Sequence, residues 1–322
     1  MHLRIEHHTT YHYQSPVVQA QHLGHLQPRS WPHQQVLSHA LHVQPEPSVL
    51  DSVLDSFGNW RVQFSLQTPH DTLHVHATSI VNTFGQPCIT LPPSPVWTEV
   101  REHHRYHAQA PYDPTTEFVF SSPYVPISDT LADYARQDFE TTTPWLQGCL
   151  SLMQRIHTEF TYASASTEVN TPTLQAFEQK QGVCQDFAHI MVGCLRSLGL
   201  PARYVSGYLL TQPPPGQPRL IGADASHAWV SVPFVSVEGG SAAEAGPKLQ
   251  WMDFDPTNNR WGLGVPGADY ITLAVGRDFG DVSPLRGLIQ GGGTHTLSVA
   301  VTVAPDYEFD TLKPSPFNET SP

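Results

Sequence analysis

The 322-residue chain carries 29 Asp and Glu against 16 Lys and Arg, a formal net charge of −13, so nucleic acid or an anionic membrane would be repelled rather than bound. The length allows about two domains with a full core each. Four cysteines without a CxxC pair fit a reduced compartment, and the charged, alternating opening His2-Leu3-Arg4-Ile5-Glu6 is unlike a signal peptide or a membrane span, so a cytoplasmic, soluble protein is expected.

Residues 1 to 125 hold short alternating runs punctuated by Pro, Gly, Asn and Ser. Thr9 to Tyr13, Leu41 to Val43, Val53 to Leu54, Trp60 to Leu66 and Leu73 to Val81 read as strands, with Phe57-Gly58-Asn59 as a turn, the pattern of an all-β sandwich. Among the 19 histidines the groups His22/His25, His74/His76 and His103/His104/His107 follow neither HExxH nor a CxxC-with-His spacing, so they read as solvated surface and no metal is expected. Asp51, Asp55 and Gly58 do not follow the spacing of a calcium loop.

The prolines of Thr90 to Val96 mark the start of a boundary, and Tyr112 to Pro126 reads as irregular. Ser128 or Asp129 then caps a helix through Phe139, and Thr143-Pro144-Trp145 opens another to about Phe160. Its apolar stripe, Leu146, Cys149, Leu150, Met153 and Ile156, makes Cys149 a core residue. Thr171 to Phe177 begins a short helix leading to Gly182.

After Cys184, apolar residues recur at Phe187, Ala188, Met191, Val192, Leu195 and Leu198 before Gly199, the spacing of an amphipathic helix. Cys184 falls at or beside its first turn, where unpaired amides and the helix dipole favour negative charge and a thiolate nucleophile. Cys194, about three turns further on, gains nothing from that end. Leu200 to Leu210 reads as a strand, Ala225 to Val232 as a strand carrying His227, and Trp251 to Asn259 as a strand ending in Asp255 and a turn. Between them lie two Gly-, Pro- or Ala-rich loops, 212–218 and 238–247. Thr294 to Ala304 alternates as a last strand, and the tail from Asp306 is expected to lack fixed structure.

A Cys at a helix start, a His on one strand and an Asp on the next supply nucleophile, base and orienting group in chain order. The alternative for Cys184 taken alone is a small buried residue. The segments Gly182 to His189, Leu195 to Tyr208, Ala225 to Trp229 and Asp253 to Asn258 together resemble the core of the bacterial transglutaminase-like superfamily. Leu3 to Tyr13 and Asp55 to Asn59 resemble the β-rich N-terminal region these proteins carry, and Tyr270 to Pro284 resembles their closing core segment.

That resemblance implies an α+β protein: an all-β N-terminal sandwich domain (1–125), a papain-like core (126–290) whose helix bears the Cys and whose antiparallel sheet bears His and Asp, a C-terminal strand (291–305) and a tail (306–322). It implies a Cys184, His227, Asp255 triad. Tyr162, Gln185 and Trp229 are candidates for oxyanion or substrate positioning, although Tyr162 and Trp229 could equally be packed aromatics; Trp229 and Trp251 could also wall the site off from water. Arg277 and Asp278 either line the cleft or form a structural pair. The expected chemistry is attack on a protein or peptide amide to give a thioester, without a cofactor. An amine acceptor then makes the enzyme a transferase, and water makes it a cysteine peptidase or amidase; a non-catalytic binding module is the remaining reading. Acceptor, natural substrate and oligomeric state are left open.

Overall fold

The computed structural model describes residues 1–85, 90–109, 111–163, 171–211, 220–221, 226–236 and 248–314. Cys88, both loops named above and the end of the tail lie outside them. No helix among the described residues is long and apolar enough to cross a membrane.

The N-terminal region is all β. Strands β1 (His2–Gly24), β2 (Gln34–Gln44), β3 (Val49–Leu54), β4 (Trp60–Leu66) and β5 (His70–Thr83) follow one another in the chain and join one sheet in the order β2-β5-β1-β4-β3. β1 is its axis. Residues 2–12 of β1 pair with β5 on one side, and residues 20–24 pair with β4. Leu3, Ile5, His7 and Thr9 are buried while Arg4, Glu6, His8 and Thr10 are half-buried, the period-two alternation of a sheet with one covered face.

The linker is shorter than the sequence suggests. Helix α1 (Trp97–His103) starts directly after the Pro-rich segment. Its Trp97 packs into the helical core and donates from Nε1 to the Glu140 carbonyl at 2.8 Å. The change from sheet to helical core thus falls within 90–96 rather than at 125. A seven-residue helix held by one docked indole has too little periodicity to be read in advance.

α2 (Asp129–Arg136) is capped by Ser128, and α3 (Trp145–Glu159) begins after Pro144. A two-residue strand β6 (Thr161–Tyr162), α4 (Thr173–Gln179) and β7 (Gln181–Gly182) then lead into α5 (Cys184–Ser197). The predicted stripe of α5 is buried, but so are Asp186, His189, Gly193, Cys194 and Arg196, so the helix is covered all round rather than on one face. Arg196 makes this possible by donating to the carbonyls of Phe118, Phe120, Ala202 and Arg277, which replaces the water a buried guanidinium would otherwise need.

The core sheet contains β8 (Arg203–Leu209), β10 (Ser226–Ser236), β11 (Lys248–Asp255), β12 (Arg260–Leu263) and β13 (Tyr270–Gly276), in the order β12-β11-β10-β8-β13 and antiparallel throughout; the short β9 (Leu220–Ile221) lies outside it. A short helix α6 (Phe279–Val282) follows. Strands β14 (Arg286–Gly291) and β15 (His295–Pro305) then return to β1, so the last predicted strand completes the first sheet. Asp306–Thr311 form a 3-10 helix, and β16 (Lys313–Pro314) pairs with β9. The expected structureless tail is therefore ordered at least as far as Pro314, because Phe309 is buried and stacks under the Arg4 guanidinium.

The two sheets face each other. Leu3, Ile5, Val81, Val301 and Val303 of the first pack on Tyr208, Leu210, Ile271 and Leu273 of the second or its flank. Two side-chain amides then bind the outer edge of β13. Gln34 donates to the Thr272 carbonyl and accepts from the Thr272 N–H, each at 2.8 Å. Asn59 does the same at Val275, at 2.8 and 2.9 Å. Each amide supplies one donor and one acceptor where a neighbouring strand would. Asn59 is itself fixed by Asp55, which explains why the turn predicted at Phe57-Gly58-Asn59 ends in Asn.

Candidate active site

The start of α5 is built around Cys184. The carboxylate of Asp186 accepts from the Val183 N–H at 2.8 Å, so the first turn is closed by its own third residue. Gly182 is required there, since a methyl on it would lie 2.6 Å from the same carboxylate. The Cys184 amide, in the first turn, has no intrahelical acceptor and is available to an oxyanion. Cys184 is half-buried, whereas Cys149 and Cys194 are fully buried and burial pushes both thiols up. Sulfur chemistry among these three therefore belongs to Cys184.

His227, the second residue of β10, lies beside it. The Cys184 Sγ stands 4.0 Å from the carbonyl of Ser226, the residue before His227, and the sulfur lies close enough to the ring to help raise its pKa. On the other side of the ring, Nε2 meets Asp255 Oδ2 at 2.7 Å. That leaves Nδ1 for the sulfur. Burial alone would lower the pKa of this imidazole, but the charge and hydrogen bond of Asp255, helped by Cys184, raise it to about 10. These contacts favour the imidazolium form of the ring.

Asp255 is fully buried at the end of β11. Its Oδ1 accepts from the Thr257 and Asn258 backbone amides at 2.9 and 3.2 Å; its Oδ2 accepts from Tyr270 Oη at 2.7 Å and Asn258 Nδ2 at 2.8 Å. Burial would raise this carboxyl, yet His227, Tyr270 and Asn258 together hold it below its ordinary value. The three predicted residues are thus brought together in sequence: thiol, imidazole, carboxylate.

His189, carried by the same helix motif, is not an alternative base. Burial and Arg196 push it down to about 3, and its Nε2 accepts from the Phe279 N–H at 3.2 Å.

The secondary candidates separate. Tyr162 is 55% exposed, its strand pairs with the Gln181–Gly182 strand, and burial together with the charge on Cys184 raises its hydroxyl; it stands at the mouth of the site. Gln185 is half-buried in the first helical turn. Trp229 is fully buried, with its Nε1 donating to Asp253 Oδ2 at 2.7 Å and its ring 6.1 Å from that of His227. It cannot touch substrate, so it supports the imidazole from below rather than positioning a ligand. Trp251 stacks with the Arg203 guanidinium instead of standing over the sulfur. Arg277 pairs with Asp281, and Asp278 caps α6, so both are structural.

Two residues that sequence reasoning did not assign complete the site. Asn258 belongs to the Asp253 to Asn258 motif, and its presence after Asp255-Pro256-Thr257 was the available signal. Tyr270 offered none, because β13 reaches Asp255 from the far edge of the sheet.

Gly207 lies directly opposite His227 in the β8–β10 register, and a methyl there would overlap both the Ile271 carbonyl and the Trp229 indole. Gly207→Ala is expected to cost about 3 kcal/mol of stability in urea unfolding and to slow catalysis through the displaced imidazole. An unchanged midpoint and rate would show that Trp229 and His227 are not packed as described.

Comparison with known proteins gives the family and the fold. Residues 3–82 match the bacterial transglutaminase-like N-terminal region, and residues 132–256 match the transglutaminase-like superfamily. An uncharacterized protein of Mycobacterium tuberculosis is 35% identical over 314 residues, covering 96% of this chain and 94% of its own. One from Mycobacterium leprae is 30% identical over 305 residues, covering 94% and 98%. A crystal structure from Cytophaga hutchinsonii, described as a candidate cysteine protease, superposes with a TM-score of 0.67 at 21% identity over 94% of this chain and 90% of that one, a likeness of fold.

Proposed function

The chain belongs to the transglutaminase-like superfamily, and from that premise we propose that it is a thiol-dependent enzyme that cleaves a protein or peptide amide through a thioester on Cys184. The observation that carries this reading is the placing of Cys184 against the strand start at Ser226 and His227, with the His227 ring held at 2.7 Å by the buried Asp255 carboxylate.

In the proposed cycle the Cys184 sulfur, with its proton on His227 Nδ1, attacks the amide carbonyl carbon. The C–N bond then breaks as that proton passes to the leaving nitrogen, which departs as ammonia or an amine. The Cys184 amide bonds the oxyanion while it lasts. His227, now neutral, takes a proton from the incoming amine or water as it attacks the thioester, and the thiolate leaves as the acyl group is released. Asp255 keeps the ring oriented throughout and stabilises its charged form at each end of the cycle, without itself taking the proton.

Transfer to an amine is the first reading. Hydrolysis is the second, favoured by the inward packing of Trp229 and the stacking of Trp251 on Arg203, which leave neither indole to screen the thioester from water. Incubation with a glutamine-rich protein and a labelled primary amine, followed by mass spectrometry, separates them. Amine incorporation marks transfer, and new peptide termini or deamidated glutamine mark hydrolysis. Absence of all three across varied protein substrates would overturn the amide-cleaving assignment.

A further inference from the structure

Far from the chain's cysteine chemistry, the half-buried outer side of the first sheet carries an organised group of side chains. Strand register puts His8 of β1 directly opposite His76 of β5, and His76 directly opposite His42 of β2, so three imidazoles stand in a row across three neighbouring strands. The His8 and His76 rings are stacked, with centroids 3.9 Å apart and planes 13° from parallel. Both turn Nε2 toward one oxygen: Glu6 Oε2 lies 3.7 Å from His8 and 3.9 Å from His76. Glu6 sits two residues before His8 and therefore on the same side of β1. Its other oxygen, Oε1, is held by Arg4, which fixes the carboxylate with Oε2 facing the two rings.

We propose that Glu6, His8 and His76 form a zinc-binding site. Two imidazole nitrogens and one carboxylate oxygen are a ligand set that suits zinc, and metal–ligand bonds of about 2.0–2.2 Å in tetrahedral geometry place ligand atoms ~3.3 Å apart. The three atoms already lie within 4.8 Å of one another, and closing on an ion takes side-chain rotations that unstack the two rings, because the in-plane lone pairs of parallel rings do not converge on one point. Thr78 Oγ1, which donates to His76 Nε2 at 3.2 Å, must turn away. The row opens onto a groove of about 830 Å³ lined in part by His42, His74 and His76, which admits the ion and a fourth ligand from His42 or water. The ligands come from two strands joined only through the folded sheet, so the ion would tie β1 to β5.

The test is isothermal titration of zinc into the untagged, chelator-treated full chain, with Cys184 first alkylated so that its thiol does not compete. One zinc per chain is expected, bound ~10–100-fold or more weakly by His8→Ala and His76→Ala, together with a zinc-dependent rise in melting temperature that these variants lose. Glu6→Gln, nearly the same shape as the original, should weaken binding likewise and serves if either alanine variant folds poorly. Absence of zinc binding by the original chain, or binding that survives all three substitutions, would overturn the proposal. The second outcome would move the ion to another cluster such as His103, His104 and Asp113.

Discussion

Cys184→Ala is expected to abolish covalent labelling by iodoacetamide at position 184 while Cys149 and Cys194 stay unlabelled at neutral pH, and to lower amide turnover by ~10⁴-fold or more, as removal of a nucleophile does in comparable triads. The expectation rests on exclusivity among the three described cysteines. Cys149 and Cys194 are fully buried with their thiols pushed up, while the Cys184 thiol is half-buried and lies beside an imidazole whose charged form can serve as counter-ion to the thiolate. Alanine is the best helix former and sits here at a helix start, so circular dichroism and the melting temperature should be little changed. Peptide mapping of the unsubstituted protein should place the adduct on Cys184. Equal labelling of Cys149 or Cys194, or turnover that survives the substitution, would remove the nucleophile from the mechanism.

Asp255→Asn should cost ~10²–10⁴-fold in kcat, for a reason that can be traced atom by atom. The backbone amides of Thr257 and Asn258 donate to Oδ1, so an asparagine would settle with its carbonyl there and its NH₂ in the place of Oδ2. That NH₂ would face His227 Nε2, the Tyr270 hydroxyl and Asn258 Nδ2, the last two of which now donate to this position. The imidazole would have to accept at Nε2, which leaves its proton on Nδ1 and removes the base from the sulfur.

The pH dependence follows with its sign. His227 is raised from 6.5 to about 10 in the folded protein, so its contribution to stability is fully present below 6.5 and is lost as pH rises through 10. The rate of amide turnover, which needs the imidazolium proton for the leaving nitrogen, should therefore fall near pH 10 in the original chain and at markedly lower pH in Asp255→Asn. The difference in unfolding free energy between the two should also shrink above pH 10. Superimposable pH profiles would mean that the carboxylate does not hold the ring's proton.

How far each feature could be read beforehand depended on whether its cause is local. The α5 stripe, the Cys184 position, and His227 and Asp255 on successive strands are local patterns, and each lies where the spacing put it. The burial of α5 on every side is not local, because it depends on α2 and α4 packing against it and on Arg196 reaching carbonyls as distant in the chain as Arg277. Tyr270 escaped notice for the same reason. Its hydroxyl reaches Asp255 only because a strand later in the chain lies at the opposite margin of the sheet. Glu6, His8 and His76 match no linear motif, since strand register and not spacing gathers them. Trp229 is a reverse case: the sequence leaves open whether it positions substrate or packs inside, and the choice depends on Asp253 beneath the indole.

The pair of side-chain amides from Gln34 and Asn59 gives the front of the molecule a duty beyond enclosing apolar surface. Trimmed of its first hundred residues, the catalytic half would present bare peptide groups at Thr272 and Val275, a ready template for another copy to dock against. The leading segment therefore shields the margin of the second sheet, and a chain trimmed of it should self-associate more readily than the full chain.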